Sequence, residues 1–362
     1  MNRFITKFIG ICALFASFVC SSAELPKVKA SFLLTHEGFL IWYAEKQGWD
    51  KKLGFDLDLT INSYNGLALM KQYRNDPNTW NITCTAHVPF IMGGKDVLVE
   101  VIALASDEAA ATSVVALANS DIFKTQGYDE YFPKVYGSPE SIRGKTFAVK
   151  GISSGIYTLG RWLEIFGLGL NDVKLVKFPD SNISDELKKN RYHGSALWSP
   201  DLYDALKLGY KEAVTAKQLG ETIPRTIKVD ENFGHANPEL VAKFLAVFFK
   251  ALQLQIDDVD SMVDDYQQFY KELAGKEYSK EVCLEDLNNH QVTALDTQIE
   301  LFENKGHRRS WIQNLEKDLT SNTLIVLKSM DTNDIQISNR IKSQKYINGE
   351  YIKLAKKYFD ML

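Results

Sequence analysis

Cysteine is scarce: the 362 residues hold four, and two of these, Cys12 and Cys20, fall in the first 23 positions. There is no CxxC pair and no HExxH motif, and the six histidines are scattered, so spacing predicts no metal site and no cofactor. A disulfide between Cys84 and Cys283 is open to an exported protein, but nothing brings the two together, and two separate buried thiols are expected. Runs of like charge are also missing. Basic and acidic residues are interspersed around a formal charge of -4, which leaves no strip for a polyanion and excludes a nucleic-acid partner. Repeats, low-complexity tracts and any hydrophobic span beyond the N-terminus are absent as well.

The N-terminus itself reads as a signal peptide over residues 1–23. Arg3 and Lys7 precede an apolar run from Phe8 to Val19, and Ser21-Ser22-Ala23 offers small residues for cleavage. The run is short of the roughly 20 residues of a spanning helix. Lipidation at Cys20 is the alternative, but Ser17-Phe18-Val19 lacks the leucine and the small residue that usually precede such a cysteine. A free exported protein, periplasmic in location, is expected.

What the chain does have is alternation of short apolar runs with helical patterns. Strands are expected at Lys27–Leu34, Asp56–Asn62, Trp80–Thr85 and Val97–Ala105, with helices between them, including one from Leu40 to Gln47. An alanine-rich link near Ser106–Thr112 opens a second series beginning at Ser113–Ala118. The chain returns near Arg225–Val229 and is mainly helical from Asn237-Pro238 onward. This predicts a first α/β lobe from 24–112 and 228–362, carrying the C-terminal helices, and a second from 113–227.

The most informative stretch is Ser141–Trp162, in which a strand at Thr146–Val149, a turn at Gly151–Gly155 and a helical pattern follow without a gap. A helix N-terminus presents unpaired N–H groups and partial positive charge, and Ser153 and Ser154 add hydroxyl donors, so an anion fits there. The same residues satisfy G-x-S-x-G, with Ser153 as a hydrolase nucleophile. A plain N-cap is the third reading.

These features resemble the periplasmic substrate-binding proteins of ABC importers for taurine, aliphatic sulfonates and nitrate. The likeness rests on Ile142-Arg143-Gly144-Lys145 before Phe147-Ala148-Val149, the Gly151–Tyr157 loop, Leu197-Trp198-Ser199-Pro200, and Asn237-Pro238-Glu239-Leu240-Val241, in that order. The resemblance implies a type II two-lobed α/β fold with a ligand cleft and two crossing strands. It also implies a monomer that hands a small organic anion or zwitterion to a permease in the inner membrane. Two departures stand out: Glu37 in the first loop, as in taurine-binding relatives, and an aromatic segment from Asn119 to Ser138.

Topology then nominates the ligand contacts, since loops at the carboxyl ends of strands face the cleft. Ser153, Ser154 and Gly155 hold the anionic head, and Trp198 gives an apolar wall and an indole donor. Glu37, Gly38 and Phe39 form the first loop, His87 adds a donor, and Glu37 or Glu108 is the counter-charge for an ammonium group. The competing class is an exported serine hydrolase, with Ser153 served by Asp201 or Asp204 and by His235. No HGGG-like oxyanion segment precedes the serine. Fungal pyrimidine synthases of thiamine biosynthesis share the superfamily, but their cysteine-rich iron motif is missing here.

Overall fold

The alternating pattern folds into two separate sheets. In a computed structural model, which describes residues 24–94, 97–178, 183–304, 306, 308–328 and 339–362, ten strands occur in chain order. They are β1 Lys27–Leu33, β2 Asp56–Asn62, β3 Ile82–Ala86, β4 Val99–Asp107, β5 Thr112–Leu117, β6 Thr146–Val149, β7 Lys174–Lys177, β8 Gly194–Trp198, β9 Tyr210–Thr215 and β10 Pro224–Asp230. One sheet has the order β2-β1-β3-β10-β4 and the other β7-β6-β8-β5-β9. The expected signal peptide, with Cys12 and Cys20, lies outside the described residues.

Each sheet has a parallel part, β2-β1-β3 and β7-β6-β8, and an antiparallel part made by the strands that leave and re-enter the lobes. The crossings are the short segments 108–111 and 216–223. They are tied together: Glu108 N–H donates to the Ile223 carbonyl at 3.1 Å, and the Asp107 carboxylate accepts from the backbone N–H of Ile223 and of Ala109, both at 2.9 Å. The resulting mixed α/β architecture, with its cleft between lobes, is the one the sequence predicts.

Helices cover the sheets because their apolar stripes have nowhere else to go. On the first lobe, the long helix Pro238–Asp258 sets Phe244 and Phe248 against Phe32 of β1, with ring centroids 6.2 and 6.4 Å apart. Full burial of one such ring stabilises the fold by about 1.5–3 kcal/mol. In the second lobe, Trp162 of the helix Ser154–Glu164 packs edge-on to Phe147 of β6 and donates its indole N–H to the Tyr136 carbonyl at 2.9 Å. The aromatic segment before β6 therefore closes that lobe's core, although Tyr128 and Tyr131 stay exposed. Cys84 and Cys283 are free and buried, and burial first of all pushes both thiols up to about 12.

The C-terminal helices reach further than the sequence suggests. Trp311–Leu327 starts in the first lobe, where Ile312 joins the core, and ends in the second, where Val326 and Leu327 do so. Its far end lies so close to Ser154–Glu164 that a Cβ on Gly160 would stand 2.3 Å from Val326 Cγ1. On the opposite side, Lys276 and Tyr278 reach the Asp204 carboxylate of the helix Asp201–Lys207 at 2.6 and 2.7 Å. A third, helical layer thus touches both lobes.

Candidate functional site

The carboxyl ends of the parallel strands in both sheets point toward one another, and between them lies a cavity of about 340 Å³. Thr35, Asn62, Ser63 and Tyr64 line it from the first lobe, Lys150, Trp198 and Asp201 from the second, and Leu273 and Lys276 from the helical layer. The walls already touch: Asn65 Nδ2 donates across the cleft to the Lys150 carbonyl at 3.2 Å. A second hollow of about 390 Å³, bordered by Tyr203, Glu212 and Lys217, lies along the β9 side of the second lobe, away from these strand ends.

Charge in the cleft cavity is concentrated on three side chains. Lys150, at the end of β6, pairs with Asp201, and Lys276 stands 3.6 Å from Asp201 and 2.6 Å from Asp204. Lys150 also lies over the Trp198 ring, 5.5 Å from its centroid. Burial alone would raise the Asp201 carboxyl, but the two ammonium groups outweigh it and hold the group below the usual range. Two cations and one shared carboxylate, beside an indole face and amide and hydroxyl groups, can grip both ends of a small zwitterion.

Of the residues nominated from sequence, Trp198 lies on this cavity. Ser153, Ser154 and Gly155 stand just beyond Lys150, largely buried at the start of the helix Ser154–Glu164. Ser153 occupies the N-cap position but makes no side-chain cap; its hydroxyl reaches only the Gly151 carbonyl, at 3.4 Å. Ser154 meets His87 in a seam with a gap of about 10 Å³, at the limit of what one water needs. Gly155 has a packing reason, because a Cβ there would lie 2.6 Å from the Ala196 carbonyl oxygen of β8. Gly155→Ala is therefore expected to destabilise the protein by about 1–3 kcal/mol, read from its denaturant midpoint, whatever the ligand.

The first loop is not a loop. The helix begins at His36, so Glu37, Gly38 and Phe39 form its first turn rather than a lip of the cleft. Phe39 is fully buried between Trp42, Tyr266 and Phe269, and Gly38 sits where a Cβ would be 2.1 Å from the Leu33 carbonyl. Glu37 turns inward: Arg225 Nε lies 3.3 Å from its Oε2, Thr35 donates a hydroxyl hydrogen bond to the same oxygen at 2.9 Å, and Ser106 donates to Oε1. Glu108 is drawn to the same guanidinium at 3.5 Å. Neither acid lines the cavity, and the carboxylate that does is Asp201.

Burial acts differently on the two acids. It works to raise both, but at Glu37 the Arg225 charge prevails and holds the carboxyl well below its usual range. At Glu108 burial prevails, Glu37 adds to it, and the carboxyl is pushed up to about 7. His87 is likewise occupied, with Nδ1 2.8 Å from Glu316 and Nε2 3.2 Å from Thr320, both on the helix Trp311–Leu327.

The same geometry gives the hydrolase reading no support. Asp201 and Asp204 are engaged by lysines, and His235 lies beside Glu100 in the first lobe, 3.4 Å from it. Among the described residues Ser153 has no histidine partner, so nothing is placed to take its proton.

No protein-family model matches the chain. A curated protein of Brachyspira hyodysenteriae, named "Putative ABC transporter periplasmic binding protein", is 21% identical over 288 residues, covering 78% of this chain and 82% of that protein. Among solved structures, the alkanesulfonate-binding protein SsuA from Xanthomonas axonopodis pv. citri, bound to MOPS, superposes with a TM-score of 0.65 at 13% identity, covering 91% of this chain and all of that one. The periplasmic nitrate-binding protein NrtA from Synechocystis PCC 6803 superposes with a TM-score of 0.63 at 13% identity, covering 94% of this chain and 89% of that one. The chain shares the two-lobed fold of these periplasmic binding proteins.

Proposed function

We propose that the chain is the extracytoplasmic solute-binding component of an ABC importer, and that its solute is a small zwitterion of the sulfonate type, with taurine the simplest example. The observation that carries this reading is the Lys150–Asp201–Lys276 arrangement on the cleft cavity, in a chain that shares the fold of sulfonate- and nitrate-binding proteins. The anionic head pairs with the lysines, the ammonium group with Asp201, and the short alkyl link lies on Trp198. The solute leaves unchanged, passed to a membrane permease. A cavity of about 340 Å³ suits such a molecule, being near the lower end of the roughly 300–1,000 Å³ of small-molecule sites.

Calorimetry against taurine, ethanesulfonate, nitrate and sulfate tests it. Taurine is expected to bind one-to-one and more tightly than ethanesulfonate, which lacks the amine, and Asp201→Asn is expected to close that gap mainly by weakening taurine. Equal affinity for the two in the parent protein rejects the zwitterion and leaves a simple anion; no heat with any of the four rejects the sulfonate class.

A further inference from the structure

Below the cleft, beside the Glu37–Arg225 pair, two histidines lie against each other. His36 opens its helix, and His290 follows the helix Lys280–Asn289; their rings stack with centroids 4.3 Å apart and planes 12° from parallel. Both are buried, as is the neighbouring Glu37. The hydrogen bonds around the rings fix their tautomers. Gln255 Nε2 donates to the Leu287 carbonyl at 2.8 Å, so the amide oxygen is the atom facing His36 Nε2 at 2.7 Å, and that nitrogen carries the proton. His290 Nδ1 faces the Asp286 carbonyl at 2.8 Å and must also be protonated.

The remaining ring nitrogens, His36 Nδ1 and His290 Nε2, therefore carry lone pairs, and both are buried without a hydrogen-bond partner. Glu37 joins them, with His36 Nδ1 3.6 Å from its Oε1, and a ligand atom of each of the three residues lies within 4.8 Å of the other two. Two buried ring nitrogens left without a partner, beside a buried carboxylate, carry a desolvation cost that a bound cation would remove. Charge balance points the same way, since Glu37 and Glu108 are both buried against the one guanidinium of Arg225, and Asp286 lies 3.5 Å from His290.

We propose that His36, Glu37 and His290 form a binding site for one divalent transition-metal ion of the zinc class, buried beneath the cleft. Two imidazoles and a carboxylate are a donor set that suits such an ion, and the bonds from Gln255 and the Asp286 carbonyl are the outer contacts that orient metal-binding histidines. Ligands of a bound zinc stand roughly 3.4 Å apart, so loading draws the donors together and separates the stacked rings. The site is distinct from the solute cavity and does not depend on which solute that cavity takes.

The test is equilibrium dialysis of the chelator-stripped full-length protein against buffered Zn²⁺ over several days, long enough for a buried site to load, with metal counted by mass spectrometry. One equivalent is expected in the parent, with loss of that equivalent in His290→Gln. His235→Gln serves as the control, because Glu100, Glu231 and His235 form a more exposed cluster of the same donor types. Should His290→Gln fail to fold, Gln255→Leu decides, with affinity expected to fall roughly tenfold to a hundredfold from loss of the outer contact alone. Co²⁺ in place of Zn²⁺ is expected to give a visible absorption band absent from the same variants. No bound metal in the parent, or an equivalent that survives in His290→Gln and vanishes in His235→Gln, overturns the proposal.

Discussion

Replacing Arg225 by methionine is expected to lower the unfolding free energy by about 3–5 kcal/mol, the usual consequence of removing one partner from a buried ion pair. Arg225 is almost wholly buried and is the cation shared by Glu37 and Glu108. The two acids start from different positions when it is lost. Glu108, already up at about 7, sheds its charge by binding a proton near neutral pH, whereas Glu37, held low chiefly by Arg225 itself, must climb much further to do so.

The double variant Arg225→Met with Glu37→Gln is therefore expected to recover most of the loss. In the parent, Glu37 contributes stability above the unfolded carboxylate value of about 4.3 and loses it as pH falls through its lower folded value. Glu108 acts in the opposite sense, retaining in the folded state a proton the unfolded chain has released, so its contribution declines as pH rises from about 4.3 to about 7 and then levels. Urea titrations from about pH 2 to pH 8 read both effects, Glu37 in the acid part of the range and Glu108 in the upper part. A single-variant loss under about 1 kcal/mol, at the scale of an exposed pair, would mean that the cluster is not the electrostatic anchor described.

Lys150→Ala is expected to weaken solute binding roughly tenfold to a hundredfold, the effect of removing one charged hydrogen-bond donor from a closed site. The fold is expected to survive, because Asp201 keeps Lys276 as a neighbour. Ser153→Ala supplies the comparison. A larger loss there than at Lys150 would move the anionic head from the ammonium group to the helix terminus; parent-like binding by Lys150→Ala would remove the lysine from the site altogether.

Much of the fold was legible because periodicity and turn chemistry are local. The strand Thr146–Val149 and the helix start at Ser154 follow from an apolar run, a glycine turn and a helical stripe, all within a few residues. The site was less legible, because its charges meet only through topology. Lys150 stood inside the most informative stretch, yet nothing local marks it as the partner of Asp201, two strands away. Lys276 comes from a helical layer whose position no periodicity reveals. Glu37 was misplaced for a definable reason: the helix begins at His36, four residues before Leu40 where the regular apolar pattern starts, and this turns the acid from the cleft to the interior. His290 had no neighbours in sequence to suggest that it meets His36.

The helix Trp311–Leu327 has a consequence for the empty protein. Because one rigid rod is rooted in both cores, much of the relative freedom of the two halves is surrendered when the chain folds rather than when a solute arrives. The fraction of molecules already shaped to receive the solute sets how far apparent affinity falls below intrinsic affinity, and a strut of this kind keeps that fraction high. Selectivity then rests on the fixed dimensions of the chamber, and a molecule too long for it is refused at a wall that cannot step back.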